Sequence, residues 1–312
     1  MIQPPNYEWR WYYFDVHSDD GYDLVVILHD RPFMSWFPIV IFDIKLYYRN
    51  KVKLHHYLTF PQSAVNVSSD PLFIRCDGEN HIRQDEQNFF IKAHDAKLDM
   101  ELIFTNLLAK PSTLSKEIRF HDGHKFSWKI IAPFCAVKGK LVRKKETVHI
   151  KGKGYHDSNS GSGPLRRYIK NWQWGKYYAG DTLYILSRIQ DRQAKTYPWA
   201  TVCTRDGCLS DDRVTIQQTP TNTEILYADA SIRFVVQRHL RLEQILFFVP
   251  SFRDSVQWIE KIREVLLAFI PDRVGFQFVR RIFSNTVYER RKTFFTDEAG
   301  NAGKAFRESM RF

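Results

Sequence analysis

Residues 8–28 read EWRWYYFDVHSDDGYDLVVIL. Two runs rich in aromatic and β-branched residues flank Asp20-Gly21. An Asp-Gly pair between such runs is a strong short-range hairpin signal, because the tight turn needs residues that accept positive φ. The pattern recurs. FDIKLYYR (42–49) turns at Asn50 into KVKLHHYLTF (51–60), and KEIRF (116–120) turns at Asp122-Gly123 into HKFSWKII (124–131). TLYILSRIQ, WATVCTR, CLSDDRVTIQQ, TEILYAD and ASIRFVVQRHL continue the series. Strands at spacings of ~8–12 residues, without alternating helices, predict an all-β fold of antiparallel sandwich or barrel type.

One segment breaks the period of two. In SVQWIEKIREVLLAFI, Val256, Ile259, Ile262, Leu266 and Phe269 share one helical face, and Pro271 ends the run. This predicts a single amphipathic helix that buttresses the C-terminal half. RVGFQFVRRIF and TVYERRKTFF then return to strand patterning, and the terminal TDEAGNAGKAFRESMRF reads as a small, polar, loosely held tail. The chain has 312 residues, enough for about two domains. The segment from Pro133 to Gly139 ends one block of hairpins, and the Gly- and Ser-rich KGKGYHDSNSGSGPLRRYI opens the next. The expected division is residues 1–138 and 139–312.

Apolar residues make up 44% and charged residues 26%, a globular balance that excludes long disorder. No apolar run approaches the ~20 residues that a membrane-spanning helix needs. The N-terminus shows no signal-peptide pattern, so the expected location is cytoplasmic. The net charge is +11. The densest basic stretch, Lys138 to Lys153, holds seven Lys or Arg residues, but they alternate as on a solvated strand pair. No zinc-finger, RNP or basic-zipper pattern accompanies them, so nucleic-acid binding is not expected. The basic surface leaves room for peripheral contact with a membrane. Oligomeric state has no signal in the sequence. Four cysteines are too few for a disulfide scaffold, and reduced thiols are the expectation, although Cys203 and Cys208 flank a turn at Asp206-Gly207. His55 and His56 fall on opposite faces of one strand and make a poor metal site. No metal site is expected.

No GxSxG, Walker loop, HExxH or dinucleotide fingerprint is present. The distinctive stretch is Gly154-Tyr155-His156-Asp157-Ser158-Asn159-Ser160-Gly161, followed by Trp172-Gln173-Trp174-Gly175. If extended, the first segment puts Tyr155 and Asp157 on one face and His156 on the other, and Trp172 and Trp174 again share a face. A carboxyl beside a phenol and two indoles suits an apolar acid site. The competing reading is an Asp that caps turn amides.

These residues resemble a known family. Glu8-Trp9-Arg10-Trp11-Tyr12-Tyr13-Phe14-Asp15 is similar to the E-W-W-Y-F opening of the carotenoid 1,2-hydratase family, also called hydroxyneurosporene synthase or AttH-like proteins. The middle block is similar to the same family's characteristic segment: Trp128, Pro133, Val137-Lys138-Gly139, Gly154 to Asn159, and Trp172 to Gly175. The resemblance implies two consecutive lipocalin-like β domains with a ligand cavity at their junction. It implies relatives that hydrate isoprenoid chains and fungal relatives that close rings by Diels–Alder chemistry. It also implies an Asp–Tyr pair two residues apart, matched by Asp157 and Tyr155, with an upstream Trp matched by Trp128. The family's upstream His has no counterpart, since Phe126 lies two residues before Trp128. Ser158 and Ser160 replace a His and a Trp of the family pattern, and the lost His removes a candidate proton shuttle or Asp partner.

The chemistry follows from the residues as well. Hydrating a trisubstituted alkene needs an acid able to form a tertiary cation, and burial in an apolar pocket keeps a carboxyl protonated near neutrality. Asp157 is the expected acid and Tyr155 its partner. Trp128, Trp172, Trp174 and Trp11, with His156 and Asn159, are the expected ligand-contacting set. No metal, nucleotide or redox cofactor is needed, and the expected partner is a small hydrophobic ligand of isoprenoid or polyene type. The same pocket would suit a cyclase with Tyr155 as hydrogen-bond donor, or a non-catalytic carrier.

Overall fold

The computed structural model describes residues 8–18, 20–31, 39–109, 114–121, 123–144, 146–163, 165–218, 222–226, 231–246, 287–296 and 302–311. The helix expected over residues 256–270 and the strand over 273–283 lie outside them.

The chain is all-β and antiparallel throughout its described residues. The strands are β1 (Glu8–Ser18), β2 (Tyr22–Arg31), β3 (Ile39–Tyr48), β4 (Lys51–Pro61), β5 (Asn66–Ser69), β6 (Leu72–Arg75), β7 (His81–Asp85), β8 (Asn88–Asp95), β9 (Leu98–Asn106), β10 (Leu114–Arg119), β11 (Lys125–Arg143) and β12 (Glu146–Ser162). A helical turn, α1 (Leu165–Tyr168), follows. Then come β13 (Ile169–Ala179), β14 (Thr182–Asp191), β15 (Thr196–Cys203), β16 (Cys208–Asp211), β17 (Thr215–Gln218), β18 (Asn222–Leu226), β19 (Ser231–Leu246), β20 (Val287–Thr296) and β21 (Ala302–Arg311). The first twelve strands form one sheet, ordered β4-β3-β2-β1-β12-β11-β9-β8-β7-β6-β5 with β10 on β11. The other nine form a second sheet, β16-β15-β14-β13-β21-β20-β19-β18-β17.

The turn chemistry read from the sequence is what joins these strands. Gly21 has φ +87 between β1 and β2, and Arg49 and Asn50 both have positive φ between β3 and β4. The basic residues from Lys138 to Lys153 occupy the β11–β12 hairpin, with Lys138, Arg143, Lys151 and Lys153 exposed.

β1 and β2 are buried along most of their length on both faces. Tyr12, Phe14 and Val16 enter the core enclosed by the first sheet. Trp9, Trp11 and Tyr13 point the other way, into a cluster shared with Trp172, Trp174 and Trp199 of the second sheet. The aromatic opening of the sequence is thus one strand serving two cores.

The break expected near residue 139 does not coincide with the change of sheet, which falls between Ser162 and Ile169. Pro133 and Gly139 both sit inside β11. Pairing with β12 shifts register between Ile130 and Cys135, and a proline without an N–H is tolerated at such a bulge. A Cβ at Gly139 would lie 2.0 Å from the Glu101 carbonyl oxygen of β9, so the glycine permits close strand approach. The Gly- and Ser-rich stretch that follows belongs to β12 as far as Ser162.

Two further expectations are corrected. Cys203 and Cys208 are direct partners across the β15–β16 hairpin and form a disulfide, while Cys76 and Cys135 are buried free thiols. The terminal segment is no loose tail. β21 inserts between β13 and β20 and pairs with both, which satisfies its backbone groups along their length. No helix among the described residues is long and apolar enough to cross a membrane.

Candidate active site

The site is built by β1, β12 and β11 on one side and β13 on the other. In the first sheet, β12 lies between β1 and β11, and three of its residues that face the junction have a cross-strand partner on each side. Gly161 lies between Trp9 and Phe126, Asn159 between Trp11 and Trp128, and Asp157 between Tyr13 and Ile130. Gly161 has a steric role: a Cβ there would lie 2.2 Å from the Trp9 ring. Across the junction, Trp172, Trp174, Lys176 and Tyr178 follow at every second position of β13. The facing rows change from aromatic to charged along the strand.

Asp157 is 2% exposed. Its Oδ2 accepts from Trp128 Nε1 at 2.8 Å and from the Tyr155 hydroxyl at 2.8 Å, and its Oδ1 accepts from Asn159 Nδ2 at 3.0 Å. Burial pushes its carboxyl up to about 7; the bonds from Tyr155 and Trp128 and the charge on Lys176 oppose that shift without cancelling it. The acid therefore exists in both forms near neutrality. Trp174 stacks on Tyr155 with ring centroids 6.0 Å apart and meets Trp128 edge-on at 5.8 Å. Trp199 meets Trp128 at 4.9 Å, and Trp11 lies 5.8 Å from Trp172. Asp157 lies within a β-strand, and none of its hydrogen bonds caps a turn.

One row further on, acidic and basic side chains are paired. Lys176 Nζ contacts both oxygens of Asp15, at 2.6 and 2.5 Å, and both side chains are fully buried. Lys176 also lies 4.3 Å from the centroid of the Tyr155 ring. The Tyr13 hydroxyl sits 2.9 Å from Asp15 Oδ2 and 3.1 Å from Glu308 Oε1, and its single proton serves one of them. Glu308 accepts from Trp174 Nε1 at 3.0 Å, and Arg290 lies 3.6 Å from Glu308. Asp23 binds His17 and Lys292 at 2.9 and 3.0 Å. None of this network was among the site residues expected from sequence. Its signal was present: Asp15 and Lys176 are charges set directly within aromatic runs, WYYFD and WGKYY.

Of the expected set, Tyr155, Asp157, Trp128, Asn159, Trp11, Trp172 and Trp174 share the junction. His156 does not. It points into the core of the first sheet, stacked on Phe14 at 3.8 Å, with Nδ1 3.0 Å from the Tyr13 carbonyl oxygen. Burial lowers it to about 3, so it is neutral. Ser158 lies opposite Tyr12 and shares that face. A histidine at 158 would therefore face away from Asp157, and its loss takes no partner from the acid.

A small pocket of about 50 Å³ lies at the end of the junction, lined by Leu107, Phe134, Lys153, Tyr178 and Arg205 among others. Asp157 does not line it. His55 and His56 bind Asp43 and Asp95 separately, each at 2.9 Å. Among the described residues no three His, Cys, Asp or Glu side chains gather to hold a metal.

The family model for Carotenoid hydratase CrtC matches residues 63–246, more than half of the chain. The chain belongs to the carotenoid hydratase family. The matched span holds Trp128, Tyr155, Asp157 and Asn159, and so the whole hydrogen-bonded group around the acid. Solved structures of similar fold include a protein described as a putative AttH from Nitrosomonas europaea (12% identity, TM-score 0.56, covering 97% of this chain and 91% of that one). CghA with Sch210972 is 9% identical, with a TM-score of 0.62 and coverage of 99% and 89%. Kievitone hydratase from Nectria haematococca is 10% identical, with a TM-score of 0.53 and coverage of 98% and 89%. At these identities the likeness is one of fold. No curated protein sequence matches the chain.

Proposed function

We propose that this chain is a cofactor-independent hydratase that adds water to a trisubstituted C=C bond of an apolar isoprenoid or polyene. The observation that carries the reading is Asp157, a buried carboxyl that burial raises to about 7, set among aromatic rings. At neutral pH a substantial fraction is the neutral acid, which is the form the chemistry needs.

In the first step the Asp157 O–H bond breaks and the alkene π pair takes the proton, forming a C–H bond and a tertiary cation beside a carboxylate. The ring faces of Trp128 and Trp174 stabilise the cation, each by roughly 0.5–2 kcal/mol. Exclusion of bulk water protects it from uncontrolled capture. Water then adds through its oxygen and gives its extra proton to the carboxylate, which restores the acid. Trp128 and Tyr155 donate to Oδ2 and hold the carboxyl against rotation.

The cyclase reading requires Tyr155 to polarise a ligand, but the proton of its hydroxyl is already given to Asp157. This favours the acid reading. The test is incubation with an acyclic carotenoid such as lycopene in heavy water. The expected product is the tertiary alcohol, with deuterium on the adjacent carbon. Asp157→Asn is expected to abolish turnover and leave lycopene affinity within a few-fold, since shape is kept and the proton is lost. Tyr155→Phe is expected to retain measurable turnover. Binding without turnover in the wild type would identify a carrier, and loss on Tyr155→Phe greater than on Asp157→Asn would support a cyclase.

A further inference from the structure

The two oxygens of Asp157 are not equivalent. Oδ2 accepts two hydrogen bonds, from Trp128 and Tyr155, so both of its lone-pair directions are in use. A proton placed there would displace one of them. Oδ1 has a single partner, Asn159 Nδ2 at 3.0 Å, so the acid proton belongs on Oδ1. The other end of the same amide, Asn159 Oδ1, is buried and has no hydrogen-bond partner. A buried, unsatisfied carbonyl oxygen is costly, and here it sits one amide rotation away from the place where the acid proton must go.

We propose that Asn159 is a positioning residue whose amide rotates with the protonation of Asp157. It donates through Nδ2 to the carboxylate and accepts through Oδ1 from the carboxylic acid. This assignment rests on the acid reading above and replaces the ligand-contacting role expected for Asn159. The rotation lets one side chain serve both charge states. It also confines the transferable proton to Oδ1 and keeps it away from the oxygen held by Trp128 and Tyr155.

The groups that set the electrostatic background come from several strands. Asp15 of β1 opposes ionisation of Asp157, and Lys176 of β13 favours it. Tyr13 of β1, Glu308 of β21 and Arg290 of β20 stand behind that pair. None of them reaches Asn159 by a hydrogen bond among the described residues, so the amide follows Asp157.

The experiment is infrared titration of the Asp157 carboxylic acid C=O stretch, assigned as the band missing from Asp157→Asn. It uses the full chain without ligand. Asn159→Leu removes the donor from the anion and the acceptor from the acid together. The expected result is a clear move of the acid band to higher wavenumber, as for a carboxylic acid that donates to nothing. The titration midpoint is expected to move by less than about one unit, because both states lose one bond. Asn159→Ala makes the same forecast and serves if the leucine variant does not fold. An acid band unmoved in either variant overturns the proposal. So does a rise in midpoint with no change in band, which would mean that Asn159 serves only the anion. A wild type with no titrating acid band would instead sink the neutral-acid reading itself.

Discussion

Asp157 and Asp15 are two buried aspartates on the same face of adjacent strands, and they come out oppositely. Asp157 has three neutral donors at 2.8, 2.8 and 3.0 Å, and burial still raises its carboxyl to about 7. Burial pushes Asp15 up as well, but Lys176, with His17 and Arg290 near it, overcomes that push and holds the carboxyl below its ordinary range. Neutral hydrogen bonds soften desolvation, whereas a full charge at contact distance reverses it. One strand position thus holds a carboxyl that keeps its proton close to neutrality and the other a structural anion, and the Lys176 ammonium at contact with Asp15 makes the difference.

The strongest way to break this contrast is Lys176→Met. It leaves Asp15 buried without its cation, which costs about 3–5 kcal/mol. A fall in melting temperature of roughly 10 °C is expected. The double variant Asp15→Asn/Lys176→Met should recover most of it. A melt within about 2 °C of wild type for Lys176→Met would mean that the pair is not the dry contact described.

Next in size is the pH dependence of stability at Asp157. Its folded value lies above that of an unfolded aspartate, so the native state holds the proton more tightly. The resulting stabilisation is complete below about pH 4 and is lost as pH rises through 7. Between pH 5 and 8 the wild type should lose about 2–3 kcal/mol relative to Asp157→Asn. Denaturant titrations of both proteins across that window check this, and parallel curves would refute it.

The smallest expected effect sharpens the comparison. Tyr155→Phe removes one neutral donor from Oδ2 and leaves Lys176 on Asp15. The Asp157 titration midpoint should rise by about one unit. Stability at pH 5, where the acid is neutral, should change by less than about 1.5 kcal/mol. An unchanged midpoint would show that the phenol does not bond to the carboxylate.

The strand reading survived because alternation is local. Asp-Gly turns, strand-length runs and the placement of Tyr155 and Asp157 on one face of β12 all follow from nearest neighbours along the chain. So does the separation of His156 from Asp157, although His156 was still grouped with the ligand-contacting residues. Pro133 and Gly139 misled because the same residue types mark linkers, bulges and close strand approaches. Which of these applies depends on β9 and β12, which lie distant in sequence. The terminal strand misled for a related reason. AGKAFRESMR is too polar to announce itself, and its place between β13 and β20 is set by the backbone groups that those strands leave open.

An all-β antiparallel chain, with an acid, a phenol and a set of indoles as its distinctive residues, is legible in the amino-acid order, and so is a likeness to the carotenoid hydratases. The fold reading rests on side-chain period and the likeness on matched motifs, and neither needs knowledge of distant partners. The different behaviour of Asp157 and Asp15 is not legible there and is set by the fold. It depends on which side chains come to within a few ångströms: Lys176 of the second sheet for Asp15, and the neutral donors Trp128, Tyr155 and Asn159 of the first sheet for Asp157. Ionisation in a dry interior is governed by those contacts, and they join residues far apart in the chain, 161 positions for Asp15 and Lys176 and 295 for Tyr13 and Glu308.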